Sequence, residues 1–571
     1  MVLKPPRRTT YTRGEVTRRS STSLAAILLG LLLFAAASCG GDDDGDGSTQ
    51  AQQEEGKRGG TLLINLNDDT DHVDPALAYY QVSVQYLYAA CATLLNYPDE
   101  PAPEGSRLQP EVAEAMPEVS GDGKTYTFTV RDDFTLSPPS NEKVTAETFK
   151  FVIERNLNPK LQSPAASFVA DIVGAQAFAE GKAKSVSGVT VEGNRLTIQL
   201  VKPAPDFLNR IAMWFFCAIP IGTSVNPEDE KPVPTAGPYY ITSWTPNRQL
   251  IMKRNPNYKG DRPSLPDEIR YTPGINQAQS VLQIRSGQAD YAADGITPSS
   301  NAELAREFGP ESQAADDGKQ QFFVNPTLSF RYFALNTSRP LFKDANMRRA
   351  VAFALDRPAL ANLSGAFAER PHDQYLPPGI VGYEDADLYP LDGPDVEKAK
   401  ELTGGKTGTA VLYTCNQSPC PERAQLLQEN LKAIGINVEI RQFPRQVQFT
   451  KEGVRGEPFD IADEGWFADY ADPYNFINKL LDGRTIQKTN NVNFSYFNDP
   501  EYNRKMDEAA SLTGDERAQA YADLDADLAG NAAPLAAWSV SNNIDFFASR
   551  VGCQIFQPVY FMDLAALCIQ E

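Results

Sequence analysis

The sequence predicts an α/β protein built from at least two lobes. The chain has 571 residues, of which 42% are hydrophobic and 22% are charged, as is usual for globular proteins. One hydrophobic core rarely grows beyond about 250–300 residues, so this length indicates more than one compact unit. In the second half of the chain, helical periodicities alternate with short apolar strands, which is the pattern of α/β folds.

The first half of the chain supplies strands and one well-marked helix. Residues 61–66 form an apolar run, and residues 124–130 alternate apolar side chains with threonines, as in a half-buried strand. Thr145 offers a hydroxyl N-cap in front of a helix with apolar residues on one face. Residues 189–200 contain two short strands around a Gly-Asn turn, which predicts a β-hairpin.

The second half of the chain is where predicted helices and strands alternate. No stretch of about 20–50 residues recurs, which argues against a solenoid. Periodicity predicts helices at 344–356, 395–403, 421–434, 500–512 and 515–530, and strands near 409–414, 436–443 and 459–461.

The N-terminus is typical of an export signal. An apolar run at residues 24–38 follows a basic segment and is shorter than the roughly 20 residues that span a bilayer. It ends in Ala-Ala-Ser before Cys39, which resembles a bacterial lipobox. We expect a signal peptide at 1–38, a lipidated Cys39 and a disordered tether at 39–60. A soluble secreted protein with an unmodified Cys39 is the alternative, and both general secretory and twin-arginine export stay open.

The rest of the chain is strongly acidic. Without residues 1–38 it carries 47 basic and 73 acidic side chains, a formal charge of −26. Such a surface repels phosphate backbones, so we do not expect a nucleic acid partner. The two histidines, His72 and His372, are too few for a three-histidine zinc site and argue against histidine-dependent catalysis. We expect neither a metal nor a cofactor.

Six cysteines remain after Cys39. An even number in an exported chain indicates three disulfides, for which fifteen pairings are possible. A metal site at the Cys-Asn-Gln-Ser-Pro-Cys segment would need two further ligands, and no clustered histidine supplies them. We favour pairing neighbours in sequence, with the two remaining cysteines forming the third bridge: Cys415–Cys420, Cys553–Cys568 and Cys91–Cys217.

Several segments together resemble one family of bacterial transport proteins. The similarity is to family 5 of the extracellular solute-binding proteins, the dipeptide, oligopeptide and nickel type that feeds ABC importers. It covers residues 60–560 and departs at residues 137–142, where relatives have a shorter turn. The similar segments occur in the same order as in the family, at 108–155, 235–258, 281–291, 334–357, 424–440 and 459–476.

The resemblance implies a bilobed periplasmic-binding-protein-like fold of type II, in the large class with three subdomains. The ligand would lie in a cleft between lobes that close about a hinge. By this analogy, lobe I combines residues 61–97, 208–327 and 540–571, an inserted subdomain covers residues 98–207, and lobe II covers residues 328–539.

The resemblance also implies that Asp469 binds the ligand. In peptide-binding relatives the matching acid accepts the α-ammonium group, and an enclosed ammonium needs a carboxylate to replace its lost hydration. The alternative is that Asp469 or Asp472 caps the helix that begins at Pro473, and we assign this cap mainly to Asp472. Trp466, Phe467 and Tyr470 belong to the same segment and are predicted to contact the ligand.

The opposite wall of the cleft is predicted from a second loop. Tyr79, Tyr80 and Gln81 match a loop that lines this wall in relatives, and Gly295 belongs to a weaker candidate loop at 294–297. Packing at a helix start is an equal alternative for the tyrosines, and burial in the core is an equal alternative for Trp466.

The function implied is that of a non-catalytic, lipid-anchored, monomeric receptor outside the cytoplasmic membrane. It would deliver a captured solute to an ABC permease. Oligopeptides are the leading ligand class, followed by nickel chelates, oligosaccharides and other small solutes. A sensor or chaperone lipoprotein with the same fold is the alternative.

A serine acyl-enzyme of the penicillin-binding type is a weaker alternative. Motifs that begin at Ser140, Ser224 and Lys406 occur in the order expected for such enzymes. The context argues against it, because the serine should begin a buried helix and Ser140 follows two prolines in a polar loop.

Overall fold

The computed structural model describes residues 57–570, except the side chain of Gln446. The predicted signal peptide at 1–38, the predicted lipidation at Cys39 and the tether up to residue 56 lie outside the described residues. Within the described part of the chain, none of the helices combines the length and apolar character that a bilayer span requires.

The first sheet begins where folding was predicted to begin, at Thr61. The last glycine of the predicted tether is already attached to the fold, because the Gly60 carbonyl accepts a hydrogen bond from the Asp267 N–H (2.9 Å). In spatial order the five strands are Tyr291–Ala292, Thr61–Asn65, Glu268–Thr272, Gln249–Arg254 and Tyr239–Thr245.

The second sheet contains the alternation predicted for the second half of the chain. The predicted strand near 459–461 is longer than expected and runs from Ile461 to Phe467. Its whole length pairs with Ser329–Leu335, with Ser329 opposite Phe467 and Leu335 opposite Ile461. In spatial order the strands are Phe322–Pro326, Leu535–Phe546, Ser329–Leu335, Ile461–Phe467, Gly408–Cys415 and Ile436–Phe443, and Glu369–Pro371 pairs with Leu535–Phe546.

The third sheet lies within the residues predicted as an inserted subdomain. It confirms the predicted hairpin, whose turn residue Gly193 has a φ of 64°, a left-handed conformation that glycine adopts readily. Its strands are Glu118–Val119, Thr125–Thr129, Arg195–Gln199 and Val189–Glu192. Short strand pairs elsewhere are Leu95–Asn96 with Gln109–Pro110, Val551–Gly552 with Cys568–Ile569, and Phe556–Gln557 with Phe561–Met562.

The structure has an α-helix at each place where the periodicity of the sequence predicted one. Thr145 caps its helix in a capping box with Thr148, whose hydroxyl accepts the Thr145 N–H at 3.0 Å. The helix predicted at 344–356 is shorter, because a second helix begins after Asp356, whose side chain accepts the Ala359 N–H. The α-helices are Gln81–Ala90, Ala146–Leu157, Ala175–Ala179, Phe207–Ile211, Gln277–Arg285, Asn301–Phe308, Gln313–Asp316, Ala345–Ala354, Arg357–Asn362, Val396–Thr403, Cys420–Lys432, Arg445–Glu452, Ile477–Leu481, Pro500–Ser511 and Gly514–Asp527. Shorter 3₁₀ helices are Glu104–Ser106, Pro164–Val169, Trp214–Phe216, Pro298–Ser300, Pro340–Lys343, Pro473–Asn475 and Gly483–Thr485, and Leu528–Ala532 is a π-helix.

Two antiparallel strands connect the first and second sheets. Phe322–Pro326 pairs with the end of Leu535–Phe546, and the next residue, Phe547, bridges to Tyr291 at the edge of the first sheet. The lobe boundary predicted at 327/328 falls just after the strand Phe322–Pro326, and the boundary predicted at 539/540 falls within the strand Leu535–Phe546. The domain boundaries themselves stay a prediction.

The second sheet separates two apolar cores. Successive residues of a strand point to opposite faces, so Phe333 and Leu335 enter a smaller core while Tyr332 and Ala334 enter the larger one. The smaller core also encloses Trp538, whose side chain is fully buried. The larger core extends through the first and third sheets.

The favoured disulfide pairing is confirmed. The Cα–Cα distances are 5.1 Å for Cys91–Cys217, 5.4 Å for Cys415–Cys420 and 5.5 Å for Cys553–Cys568, within the range that disulfides require.

Removal of the shortest bridge is expected to cost little stability. The half-cystines of Cys415–Cys420 are five residues apart in sequence. Closing so short a loop lowers the conformational entropy of the unfolded chain by an amount worth about 2 kcal/mol of stability. We therefore expect the double variant Cys415→Ala/Cys420→Ala to lower the free energy of unfolding by about that amount in urea titrations. A loss above about 4 kcal/mol would contradict this explanation.

Candidate functional site

Adjoining cavities open between the two lobes. A cavity of about 420 Å³ lies between residues 80–82 and 293–298, which belong to predicted lobe I, and Ser364 and Ala368, which belong to predicted lobe II. It shares Gln81 and Ser364 with a second cavity of about 260 Å³. A third cavity, of about 500 Å³, shares Ser364 with both. Together they form a cleft lined by both lobes.

Four of the predicted residues line this cleft. Tyr80, Gln81 and Gly295 line the first cavity, and Gln81 lines the second together with Phe467, a residue of the predicted lobe II. The Tyr80 and Phe467 side chains are exposed, at 62% and 46%, so their rings are available for contact. The structure thus brings together Gln81 and Phe467, which are almost 400 positions apart in sequence.

The Asp469 carboxylate is held by two neutral donors. Tyr79 donates its hydroxyl hydrogen to Asp469 Oδ1 at 2.9 Å, and Asn475 Nδ2 donates to Oδ2 at 3.0 Å. Asn475 is fully buried, and its Oδ1 also accepts the Asp469 N–H and Trp466 Nε1–H, each at 3.0 Å. Neither Tyr79 nor Asn475 carries a positive charge that could neutralise the carboxylate. The arrangement therefore orients an anion and leaves its charge available to a cation.

Tyr79 connects the predicted lobe I with Asp469 of the predicted lobe II. Its ring stacks on Phe215 with centroids 5.7 Å apart, and its backbone N–H donates to Asp71 Oδ2 at 2.6 Å. The surrounding protein, and after it the Asp469 carboxylate, raise the pKa of the Tyr79 hydroxyl, so the hydroxyl stays protonated and serves as a donor.

Trp466 supports the side chain that holds Asp469. The indole is half-buried against the larger core, and its hydrogen bond to Asn475 positions the amide that holds Asp469. The indole thus packs against the core, as one reading predicted, and its contact with the ligand stays a prediction.

Tyr470 points away from the three cavities of the cleft. It is 3% exposed, and its hydroxyl donates to Asp206 Oδ2 at 2.7 Å. Asp206 in turn forms an ion pair with Arg210 at 3.3 Å. Tyr470 lines a separate cavity of about 540 Å³ instead. Its predicted contact with the ligand stays a prediction, which this orientation does not support.

Asp472 is the helix cap that the sequence predicted. Its side chain accepts the Tyr474 N–H at 2.8 Å at the start of Pro473–Asn475. Arg517 also donates to both carboxylate oxygens, at 2.9 and 2.7 Å. Asp472 is thus fully engaged within the protein.

Sequence reasoning missed one charged pair in the cleft. Arg331 lines the second and third cavities, and Glu369 lines the second. A signal was present, because Arg331 is a charge inside the otherwise apolar strand Ser329–Leu335, between Phe330 and Tyr332.

The enzyme-like motifs are engaged in separate structural contacts. The Ser224 carbonyl accepts hydrogen bonds from Arg155 (2.9 and 2.7 Å), while Lys406 forms an ion pair with Asp344 at 2.5 Å. Ser140 Oγ is buried and has no hydrogen-bond partner within residues 57–570. The geometry offers no support for an acylation site.

Comparison with known proteins matches both the fold and the sequence. The chain is 25% identical over 434 residues to the periplasmic oligopeptide-binding protein OppA of Escherichia coli K12, which covers 71% of this chain and 74% of that protein. It is 24% identical over 524 residues to the dipeptide-binding protein DppE of Bacillus subtilis 168, which covers 88% and 91%.

Solved structures show the same bilobed fold. The structure of clavulanic acid biosynthesis oligopeptide binding protein 2 superposes with a TM-score of 0.82 at 22% identity and covers 90% of this chain and 96% of its own. The unliganded open form of the murein tripeptide-binding protein MppA gives a TM-score of 0.72 at 24% identity, with 90% and 99% coverage. The family model for bacterial extracellular solute-binding proteins, family 5 (middle) matches residues 107–488, more than half of the sequence. The chain therefore belongs to the bacterial extracellular solute-binding proteins of family 5.

Proposed function

We propose that this protein is the peptide-binding receptor of an ABC importer. The observation that carries the proposal is the Asp469 carboxylate, which the neutral donors Tyr79 and Asn475 hold two residues beyond Phe467, a residue of the cleft wall. A peptide's α-ammonium group is a small, strongly hydrated cation, and a pre-oriented carboxylate can replace the hydration that it loses on enclosure.

The relatives support the same ligand class. OppA of E. coli and DppE of B. subtilis are named as oligopeptide- and dipeptide-binding proteins. Solved relatives include a complex of Haemophilus influenzae OppA with the peptide RPPGFSPFR. The exposed rings of Tyr80 and Phe467 offer apolar surface to side chains of varied sequence.

The remaining parts of the function follow from this role. The receptor would be anchored outside the cytoplasmic membrane through a lipid on Cys39, and it would act as a monomer. It would close on a peptide and pass it to membrane permease subunits. It would have no catalytic activity of its own, so the peptide would be delivered unchanged.

Calorimetric titration with defined ligands tests the ligand class. We expect saturable binding of unblocked alanine-rich tri-, tetra- and pentapeptides, and weaker or no binding of the same peptides after N-acetylation. A nickel–histidine complex and a linear trisaccharide serve as comparators. Binding of a comparator without binding of any peptide would overturn the proposed ligand class.

A deletion strain tests the role in import. We expect loss of uptake of labelled peptide on deletion and its recovery on complementation. Normal uptake with an altered transcriptional response to peptide would instead support a sensor.

A further inference from the structure

The first cavity of the cleft has an acidic lining. The cavity of about 420 Å³ is lined by Asp68, Asp69 and Asp294, and neither a lysine nor an arginine of the described chain is among its lining residues. Arg331, whose Nε is buried and has no acceptor within residues 57–570, lines the two adjoining cavities instead. This end of the cleft therefore carries a negative charge.

The topology of the first sheet brings these acids together. The strands Thr61–Asn65 and Tyr291–Ala292 are parallel neighbours, and their last residues lie opposite each other. Parallel strands end at the same edge of a sheet, which is where ligands of open α/β sheets bind. Asp68 and Asp69 follow the first strand and Asp294 follows the second, so all three lie at this edge.

Uncharged groups hold the three carboxylates. Asp68 accepts a hydrogen bond from Asn67 Nδ2 at 2.9 Å, Asp69 accepts the Asn247 N–H at 2.6 Å, and Asp294 accepts the Asn67 N–H. These donors orient the carboxylates without neutralising them. Burial, followed by a smaller contribution from Asp68, raises the pKa of Asp294, because an anion is costly there without a counter-charge. A cation in the cavity would remove that cost.

An unpaired acceptor in the same cavity wall supports a cationic occupant. Asn301 lines the cavity and is only 2% exposed. Its Nδ2 donates to the Ala366 carbonyl at 3.0 Å, which fixes the orientation of the amide. The other end of the amide, Oδ1, is buried and has no donor within the described chain. A buried acceptor without a donor costs free energy, so this position favours a ligand that brings N–H groups.

The remaining walls suit a long, partly apolar side chain. Val82, Ile296 and Ile544 line the cavity and can cover a chain of methylene groups. The Tyr80 ring is 62% exposed beside them, and the face of an aromatic ring attracts a cation. The cavity thus combines apolar walls with carboxylates, as a basic side chain requires.

We propose that this cavity binds a lysine or arginine side chain of the captured peptide. The inference rests on the proposed function and narrows its substrate class to peptides that carry a basic residue. Lysine and arginine bring several donors and no acceptor, so one side chain can satisfy both a carboxylate and the Asn301 oxygen. The same carboxylates would repel a glutamate or aspartate side chain, which disfavours acidic peptides at this position.

Calorimetry on a positional set of peptides tests this side-chain pocket. Tetra-alanine is compared with tetrapeptides that carry lysine, norleucine or glutamate at each position in turn. Norleucine matches the methylene chain of lysine and lacks its charge. We expect lysine to bind about 10-fold more tightly than norleucine at one position, and glutamate to bind more weakly than either. Titration at about 0.15 M salt limits the general attraction of basic peptides to an acidic protein, because charges more than about 8 Å apart are largely screened.

Single variants assign the preference to the cavity. Asp294→Asn and Asp68→Asn should each lower the ratio between lysine and norleucine at that position to about 3-fold, because each removes one carboxylate. Asp68 is exposed, so its variant supplies the test even if Asp294→Asn does not fold. The control is Asp132→Asn, which removes an exposed aspartate of the third-sheet region from outside the cavity and should keep the wild-type ratio.

Three outcomes would count against the inference. Peptide binding with no preference for lysine at any position would overturn it while the proposed function stands. An equal preference at every position, or one that survives in both Asp68→Asn and Asp294→Asn, would assign the effect to the overall charge of the protein and overturn the pocket. A wild-type protein that binds none of the peptides would overturn the proposed function and this inference with it.

Discussion

Asp469→Ala is expected to weaken binding of a peptide with a free amino end by roughly 2–5 kcal/mol, the cost of removing one member of an enclosed charge pair. The carboxylate is held by Tyr79 and Asn475, neither of which brings a positive charge. The ligand's ammonium would therefore lose its counter-charge within the closed cleft. Calorimetric titration with an unblocked tetrapeptide measures the loss.

Two controls separate the charge from the geometry. Asp469→Asn retains the size of the side chain and should lose nearly as much affinity as the alanine variant. Tyr79→Phe removes one hydrogen bond to Asp469 and should lose less, about 1 kcal/mol. An N-acetylated tetrapeptide should bind the wild type and Asp469→Ala with similar affinity. Equal affinity of the unblocked peptide for the wild type and Asp469→Ala would remove Asp469 from the site.

Removal of the Cys91–Cys217 bridge is expected to cost about 4–5 kcal/mol of unfolding free energy. The two half-cystines are 126 residues apart, so the bridge closes a long loop that contains the whole third sheet. In the chain-entropy description, such a loop restricts the unfolded chain far more than the short Cys415–Cys420 loop does. Urea unfolding of Cys91→Ala/Cys217→Ala gives the difference directly.

The single variants provide the matched control. Cys91→Ala and Cys217→Ala should each cost about as much as the double variant, because either one breaks the bridge. A loss in the double variant no larger than that in Cys415→Ala/Cys420→Ala would show that loop length does not govern the effect.

Local elements could be predicted from sequence because their signals are local. Thr145 caps its helix, the hairpin forms around Gly193, and Asp472 caps the turn that begins at Pro473, each as expected. These features depend on side chains within a few residues of one another. The disulfides could be narrowed from fifteen pairings because two pairs are close in sequence.

Features that depend on distant partners could not be predicted. The strand Ile461–Phe467 was expected to be shorter than it is. Its full length depends on pairing with Ser329–Leu335, which lies more than a hundred residues away in sequence, and a local pattern does not reveal such a partner. Tyr470 faces Asp206, at a separation of 264 residues, and nothing in its own segment indicates that direction. Arg331 was recognisable as a charge in an apolar strand, but its missing acceptor becomes visible only when the cleft is assembled.

Native mass spectrometry of the purified protein tests the central claim, that the cleft captures a short peptide and releases it unaltered. The protein is mixed with a library of tri-, tetra- and pentapeptides, washed, and partly unfolded to release what it holds. We predict that intact peptides with free ends at both termini are recovered, in amounts up to one per chain. Recovery of no peptide, or of cleaved fragments only, would contradict this account.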